Sequence, residues 1–210
     1  MNQARFRRPA MLTTEQAEAI VGDFDPAVKS EAAHTTAAAI VHGGRASADD
    51  PELVDRLVRL VETEGLDAVA ALWADSPADT LPGALWRLYL LREWTRRDPV
   101  TIAERYRMGV ARAEVAGAVA GVAQTPGPDE IRTVADAVLS GVFQGDLDVA
   151  LERAGAFCRV LATGSALDAD HLAVSDDEFA TRLTRNASSL LDTAVELEHA
   201  GALWRADRLD

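Results

Sequence analysis

Apolar residues recur at steps of three and four along most of the chain, and no long run alternates apolar with polar positions. That pattern predicts helices and no sheet. Nine helices are expected, over 13–21, 26–42, 51–64, 66–74, 82–97, 99–123, 129–143, 147–163 and 176–207. The last has the clearest period. Phe179, Leu183, Ala187, Leu190, Ala194, Leu197, Gly201 and Trp204 form one continuous stripe. Such a stripe serves as a core seam within a chain, or less often as the seam of a homodimer. The helix from Pro82 is apolar on most sides of its first turns (Leu85, Trp86, Leu88, Tyr89, Leu90, Leu91), which marks a central helix. In the one after it, Ala113, Gly117 and Gly121 repeat every four residues and let another backbone approach closely.

Punctuation supports this map. All eight prolines fall at helix starts or in loops, and three follow aspartate: Asp25-Pro26, Asp50-Pro51 and Asp98-Pro99. Aspartate at the N-cap accepts orphan backbone N–H groups, while proline at N1 gives up a donor that had no partner. Ser175 to Glu178 reads as a capping box, and Gly43 and Gly65 sit where helices should end. The stretch from Gly164 to Ser175 lacks helical periodicity and reads as the longest loop. Gly83-Ala84-Leu85-Trp86-Arg87 recurs as Gly201-Ala202-Leu203-Trp204-Arg205, but the match ends there and defines no repeat. The expected architecture is all-α: about nine helices in a compact bundle with a long C-terminal helix. Residues 1–12 are expected to form a flexible N-terminal segment, and 13–210 a single helical domain.

Charge and composition narrow the classes. A formal charge of −13 over 210 residues argues against nucleic acid and membrane surfaces as partners, because polyanions are repelled at long range. The lone Cys158 excludes an internal disulfide and a cysteine zinc site, and reads as core filler. Arg5, Arg7 and Arg8 are followed by no apolar run of signal-peptide length. The longest apolar stretch, Val110 to Ala123, is broken by Arg112 and Glu114 and falls short of the ~20 residues a membrane span needs. A cytoplasmic location is the resulting expectation.

Several chemistries can be tried on the sequence. Glu31/His34 and Glu196/His199 are Glu-x-x-His pairs, which with further helical carboxylates can hold a di-metal centre in a bundle. His199 lies half a turn from the apolar stripe of its helix, which weakens that reading, whereas His34 shares a face with Val41. Asp168, Asp170 and His171 could form a looser metal site. Leu172, Ala173 and Phe179 at the fifth, sixth and twelfth positions rule out a loop-type calcium site. Asp23-Phe24-Asp25 resembles part of the magnesium-binding signature of RNA polymerase large subunits, but the third aspartate is missing. A DNA-reading helix-turn-helix over 101–115 would turn at Gly109. It puts Arg105 and Glu104 where small or buried residues belong, and one continuous helix is the simpler reading. No nucleophile or phosphate-cradling glycine pattern stands out, and no cofactor is implied.

One segment keeps its interest. Between Leu85 and Arg112, seven arginines face three carboxylates, a local excess of four positive charges in an acidic chain. Trp73, Trp86, Tyr89, Trp94 and Tyr106 lie in or beside it. Arginine and aromatics together make interaction hot spots and anion pockets, although paired arginines and core aromatics would give the same composition. The residues singled out for a ligand or partner are Trp86, Tyr89, Arg92, Trp94, Arg96 and Arg105. Glu31, His34, Asp168 and His171 carry the metal alternative.

The run from Leu66 through Tyr106, with Ala71-Leu72-Trp73-Ala74-Asp75 and the stretch from Leu81 to Trp94, resembles an uncharacterised all-helical family of high-GC Gram-positive bacteria. The resemblance implies a helical fold and brings no established activity. The functional expectation is a non-enzymatic interaction or regulatory module whose Trp/Arg surface takes a partner protein or a small acidic ligand. A helical-bundle metalloprotein and a DNA-binding regulator are the alternatives.

Overall fold

Three aspartates start helices in the way the Asp-Pro dipeptides predict. Asp25 accepts from Ala27 N–H at 2.9 Å, Asp50 from Glu52 and Leu53 at 3.0 and 3.2 Å, and Asp98 from Thr101 at 3.3 Å. A computed structural model describes residues 25–46, 49–121, 127–144, 146–172 and 177–210 of the chain. Among them are ten helices and no strand. They are α1 (Pro26–Ala46), α2 (Pro51–Val58), α3 (Leu60–Glu64), α4 (Leu66–Trp73), α5 (Leu81–Arg97), α6 (Pro99–Val110), α7 (Glu114–Ala120), α8 (Pro128–Gln144), α9 (Leu147–Leu172) and α10 (Asp177–Arg205). The expected helix over 13–21, the flexible segment 1–12, Asp23-Phe24 and the first residues of the capping box lie outside the described residues. Asp50 satisfies two orphan N–H groups at once, so Asp50→Ala is expected to cost about 1 kcal/mol of unfolding free energy, read from the urea midpoint. A shift below a quarter of that would mean α2 is held by packing alone.

α9 organises the bundle. Leu147, Leu151, Ala154 and Cys158 enter a large core with residues of α1 to α5, α8 and α10. Ala156, Phe157, Val160 and Leu161 enter a second core with Ile102, Ala103 and Tyr106 of α6, Ala120 of α7 and Ile131 of α8. A helix serving two cores must be apolar nearly all round, and α9 is. α10 lays its stripe along α9: Leu183, Ala187, Ala194, Leu197 and Gly201 are buried. The stripe is therefore a core seam within the chain.

Two expectations about the helices are corrected. The chain does not loop from Gly164, because α9 runs on to Leu172. Gly164 is a packing residue there: a Cβ on it would stand 1.8 Å from the Arg105 carbonyl oxygen, so glycine lets α6 cross α9 in close contact. The expected helix over 99–123 is two helices. The Gly109 carbonyl accepts from both Arg112 and Ala113 N–H at 3.0 Å, and the chain turns through 111–113. The turn lets α7 stay on α9, where the Ala120 carbonyl accepts from Arg153 Nε at 3.4 Å. A straight helix from Pro99 to Ala120 would be about 33 Å long and would run off the bundle. Smaller differences are the split of 51–64 at Arg59 and the extension of α1 past Gly43 to Ala46. Gly65, at φ +88°, ends α3 as expected.

The start of α5 is pinned twice. Thr80 caps its start through the Gly83 N–H at 3.3 Å, and the Leu81 N–H donates to the Asp210 carbonyl at 2.7 Å. Buried Leu209 brings the returning chain there. No helix among the described residues is long and apolar enough to cross a membrane.

Candidate functional site

The arginine- and aromatic-rich segment divides between faces of α5 and α6. Tyr89 is fully buried; its hydroxyl donates to the Leu57 carbonyl at 2.5 Å, and its ring lies 5.9 Å from that of Trp73. Burial pushes its phenol well above the ordinary range. Arg92 is 2% exposed and bonds Glu62 of α3 at 2.8 Å and Asp136 of α8 at 2.6 Å. Arg96 joins the same carboxylates at 3.1 and 3.8 Å, so two arginines and two carboxylates tie α3, α5 and α8 together. Arg105 lies on α6 with its Nε 3.6 Å from Asp168 of α9. Trp86 is half-buried against the large core. Tyr89, Arg92, Arg96 and Arg105 thus make internal contacts, and the structure does not gather the six residues at one place.

Trp94 is different. It is half-buried and lines a cleft of about 360 Å³ between α5 and α10. Leu90, Leu91 and Trp94 of α5 form one wall and Leu190 with Thr193 of α10 the other; Leu66 of α4 and Cys158 of α9 also line it. Leu90 is 42% exposed, a large aliphatic side chain left open to solvent at the mouth. Polar groups are few. At one end Arg87 bridges the helices, donating from Nε to Glu196 at 2.6 Å and from Nη1 to the Gly83 carbonyl at 2.9 Å. The other polar lining groups are Arg97 and Glu93, an i,i+4 pair at 2.7 Å. The four charges cancel, so the mouth is locally neutral in a chain of −13. The Cys158 thiol is fully buried and pushed up to about 12 by burial, with the Glu198 charge adding to it, so it stays protonated at neutral pH. It contributes shape and no nucleophile.

This arrangement is a mostly apolar concavity with a few charged groups at its rim, the geometry that small-molecule sites share. Leu66, Cys158, Leu190 and Thr193 could not be assigned to it from the sequence, because they come from three other helices. The available signal was the apolar excess of α5. Leu85, Leu88 and Tyr89 fill the core, Leu91 packs against it from the cleft side, and Leu90 remains for the cleft.

The metal ligands do not converge. Glu31 is exposed, and the His34 Nδ1 lies 2.8 Å from the Ser30 carbonyl one turn back on α1. Glu196 is held by Arg87, and His199 is exposed. Asp168 faces Arg105, and the side chains of Asp170 and His171 lie outside what is described. No group of three or more His, Cys, Asp or Glu among the described residues could hold a metal ion. The tested helix-turn-helix does contain a turn, at 111–113, but Gly109 is not in it. Gly109 is buried within α6, where a Cβ would meet the Val160 carbonyl oxygen at 2.0 Å.

No protein-family model, no curated protein and no solved structure matches this chain, so its functional reading stands on the cleft itself.

Proposed function

We propose that the protein is a non-enzymatic binding module with a regulatory role, and that the α5–α10 cleft is where it takes its ligand or partner. One observation carries the reading: Leu90 is left 42% exposed at the mouth of a recess of about 360 Å³, and Trp94, half-buried against the second core, forms part of its wall. Leaving that surface in water costs roughly 25 cal/mol per Å², a cost that an occupant removes. The arginines named with Trp94 support the site from behind. Arg92 and Arg96 hold α5 against α3 and α8, which keeps the cleft's α5 wall rigid. Recognition then rests on an indole and aliphatic side chains, with charge confined to the rim. A cytoplasmic location fits this role.

The test uses a neutral apolar fluorophore, N-phenylnaphthylamine. Saturable enhancement of its emission is expected with the wild-type chain, and its loss in Leu90→Trp, which fills the mouth from an exposed position without disturbing the core. Circular dichroism of the variant should be unchanged. Equal enhancement by wild type and variant would place the apolar surface elsewhere and end the proposal.

A further inference from the structure

Resting on that reading of the cleft, we infer that its occupant is a small amphipathic carboxylate, with its chain against Leu90, Trp94 and Leu190 and its acid on Arg97. The volume comes first. About 360 Å³ lies at the lower end of small-molecule pockets, and buried Cys158 is part of its lining, so the cleft suits one acyl or aryl chain better than a partner helix. Charge complementarity comes next. Arg97 is 64% exposed and donates only its Nε, to Glu93, so its terminal nitrogens make no hydrogen bond among the described residues. An exposed i,i+4 pair holds weakly, and the free edge of a guanidinium fork matches a carboxylate. Arg87 is committed to Glu196 and the Gly83 carbonyl, so it closes one end and offers its aliphatic stem to the chain.

Two other large concavities among the described residues lack this combination. The cleft of about 310 Å³ beside α1, α3 and α4 has Glu64 as its single charged lining residue, which disfavours an acid. The groove of about 440 Å³ beside α7 and α9 contains Arg159, but Glu198 takes that guanidinium bidentately at 2.6 Å through both bonds. The overall −13 does not oppose an acid at the α5–α10 mouth, because charges further off than about 8 Å are screened at physiological salt and the nearby ones cancel.

Calorimetric titration of the full chain with octanoate, octanol and octylamine at pH 7 separates the possibilities, with Arg97→Gln and Leu90→Trp as variants. Octanoate is expected to bind one to one and about threefold to fivefold tighter than octanol, with octylamine weakest. Arg97→Gln should bring octanoate to the level of octanol and leave octanol unchanged, and Leu90→Trp should weaken both. If octanol binds as tightly as octanoate and Leu90→Trp removes both, the acid is overturned while the apolar cleft stands. Octanoate binding untouched by either variant places the acid elsewhere and overturns the inference. If none of the three compounds binds, the inference falls together with the reading it rests on.

Discussion

Gly164→Ala is expected to destabilise the protein by on the order of 4 kcal/mol or more, or to prevent folding. The added methyl would lie 1.8 Å from the Arg105 carbonyl oxygen and 2.7 Å from its carbonyl carbon, both backbone atoms of a packed helix. Neither atom can rotate away. The only relief is separation of α6 from α9, which would open the contact of Ile102, Ala103 and Tyr106 with Phe157, Val160 and Leu161, all buried. Gly109 faces the Val160 carbonyl across the same crossing at 2.0 Å, so Gly109→Ala should behave alike. Gly43→Ala is the control. Nothing lies within 4 Å of a Cβ there, and the residue is inside α1, so alanine should stabilise by about 0.5–1 kcal/mol. Urea unfolding monitored by circular dichroism reads all three variants. Equal small effects at Gly164 and Gly43 would show that α6 and α9 do not cross this closely.

Arg92→Met should cost about 3 kcal/mol, the lower part of the range for breaking a buried ion pair, because Glu62 and Asp136 are 31% and 40% exposed and water relieves part of the loss. The variant leaves two carboxylates sharing only Arg96, whose contacts are the longer ones at 3.1 and 3.8 Å. Most of that loss should be avoided when the two carboxylates go as well. Replacing Arg92, Glu62 and Asp136 together by Met, Leu and Leu should recover most of the stability, since a well-packed apolar set often equals a buried charge network. The α5–α10 cleft should still bind the fluorophore in the triple variant, because that network lies behind α5 and not in the cleft. An Arg92→Met midpoint equal to wild type would mean that this arginine does not hold α5 to α3 and α8.

The contrast between these residues shows how much could be read ahead of the structure. Asp50-Pro51 and Asp98-Pro99 were legible as helix starts because an N-cap is a local device, decided within four residues. The α10 stripe was legible because its burial repeats with the helical period from Leu183 to Gly201. Gly164 was not, since the stretch it opens lacks helical periodicity, and only the α6 backbone pressed against it explains a glycine inside a helix. The break at 111–113 carries no proline and no capping residue, and it follows from where α7 must lie on α9. The composition of the Trp/Arg segment drew attention to the right helix. It could not separate Tyr89 and Arg92, which point into the core and the ion cluster, from Trp94 and Leu90 on the cleft side, because all four lie within six residues and differ only in direction.

Amide and indole chemical shifts test the proposed binding site in the α5–α10 cleft residue by residue. The four tryptophans give four indole N–H signals in a nitrogen-15 correlation spectrum, and that of Trp73, hydrogen-bonded to Thr36 at 3.1 Å beside the other cleft, is an internal reference. On titration with octanoate, the Trp94 indole and the amides of Leu190 and Thr193 should move together and saturate while Trp73 stays in place. Movement of Trp73 with Trp94 unmoved, or shifts spread evenly over the surface, would place binding outside the α5–α10 cleft.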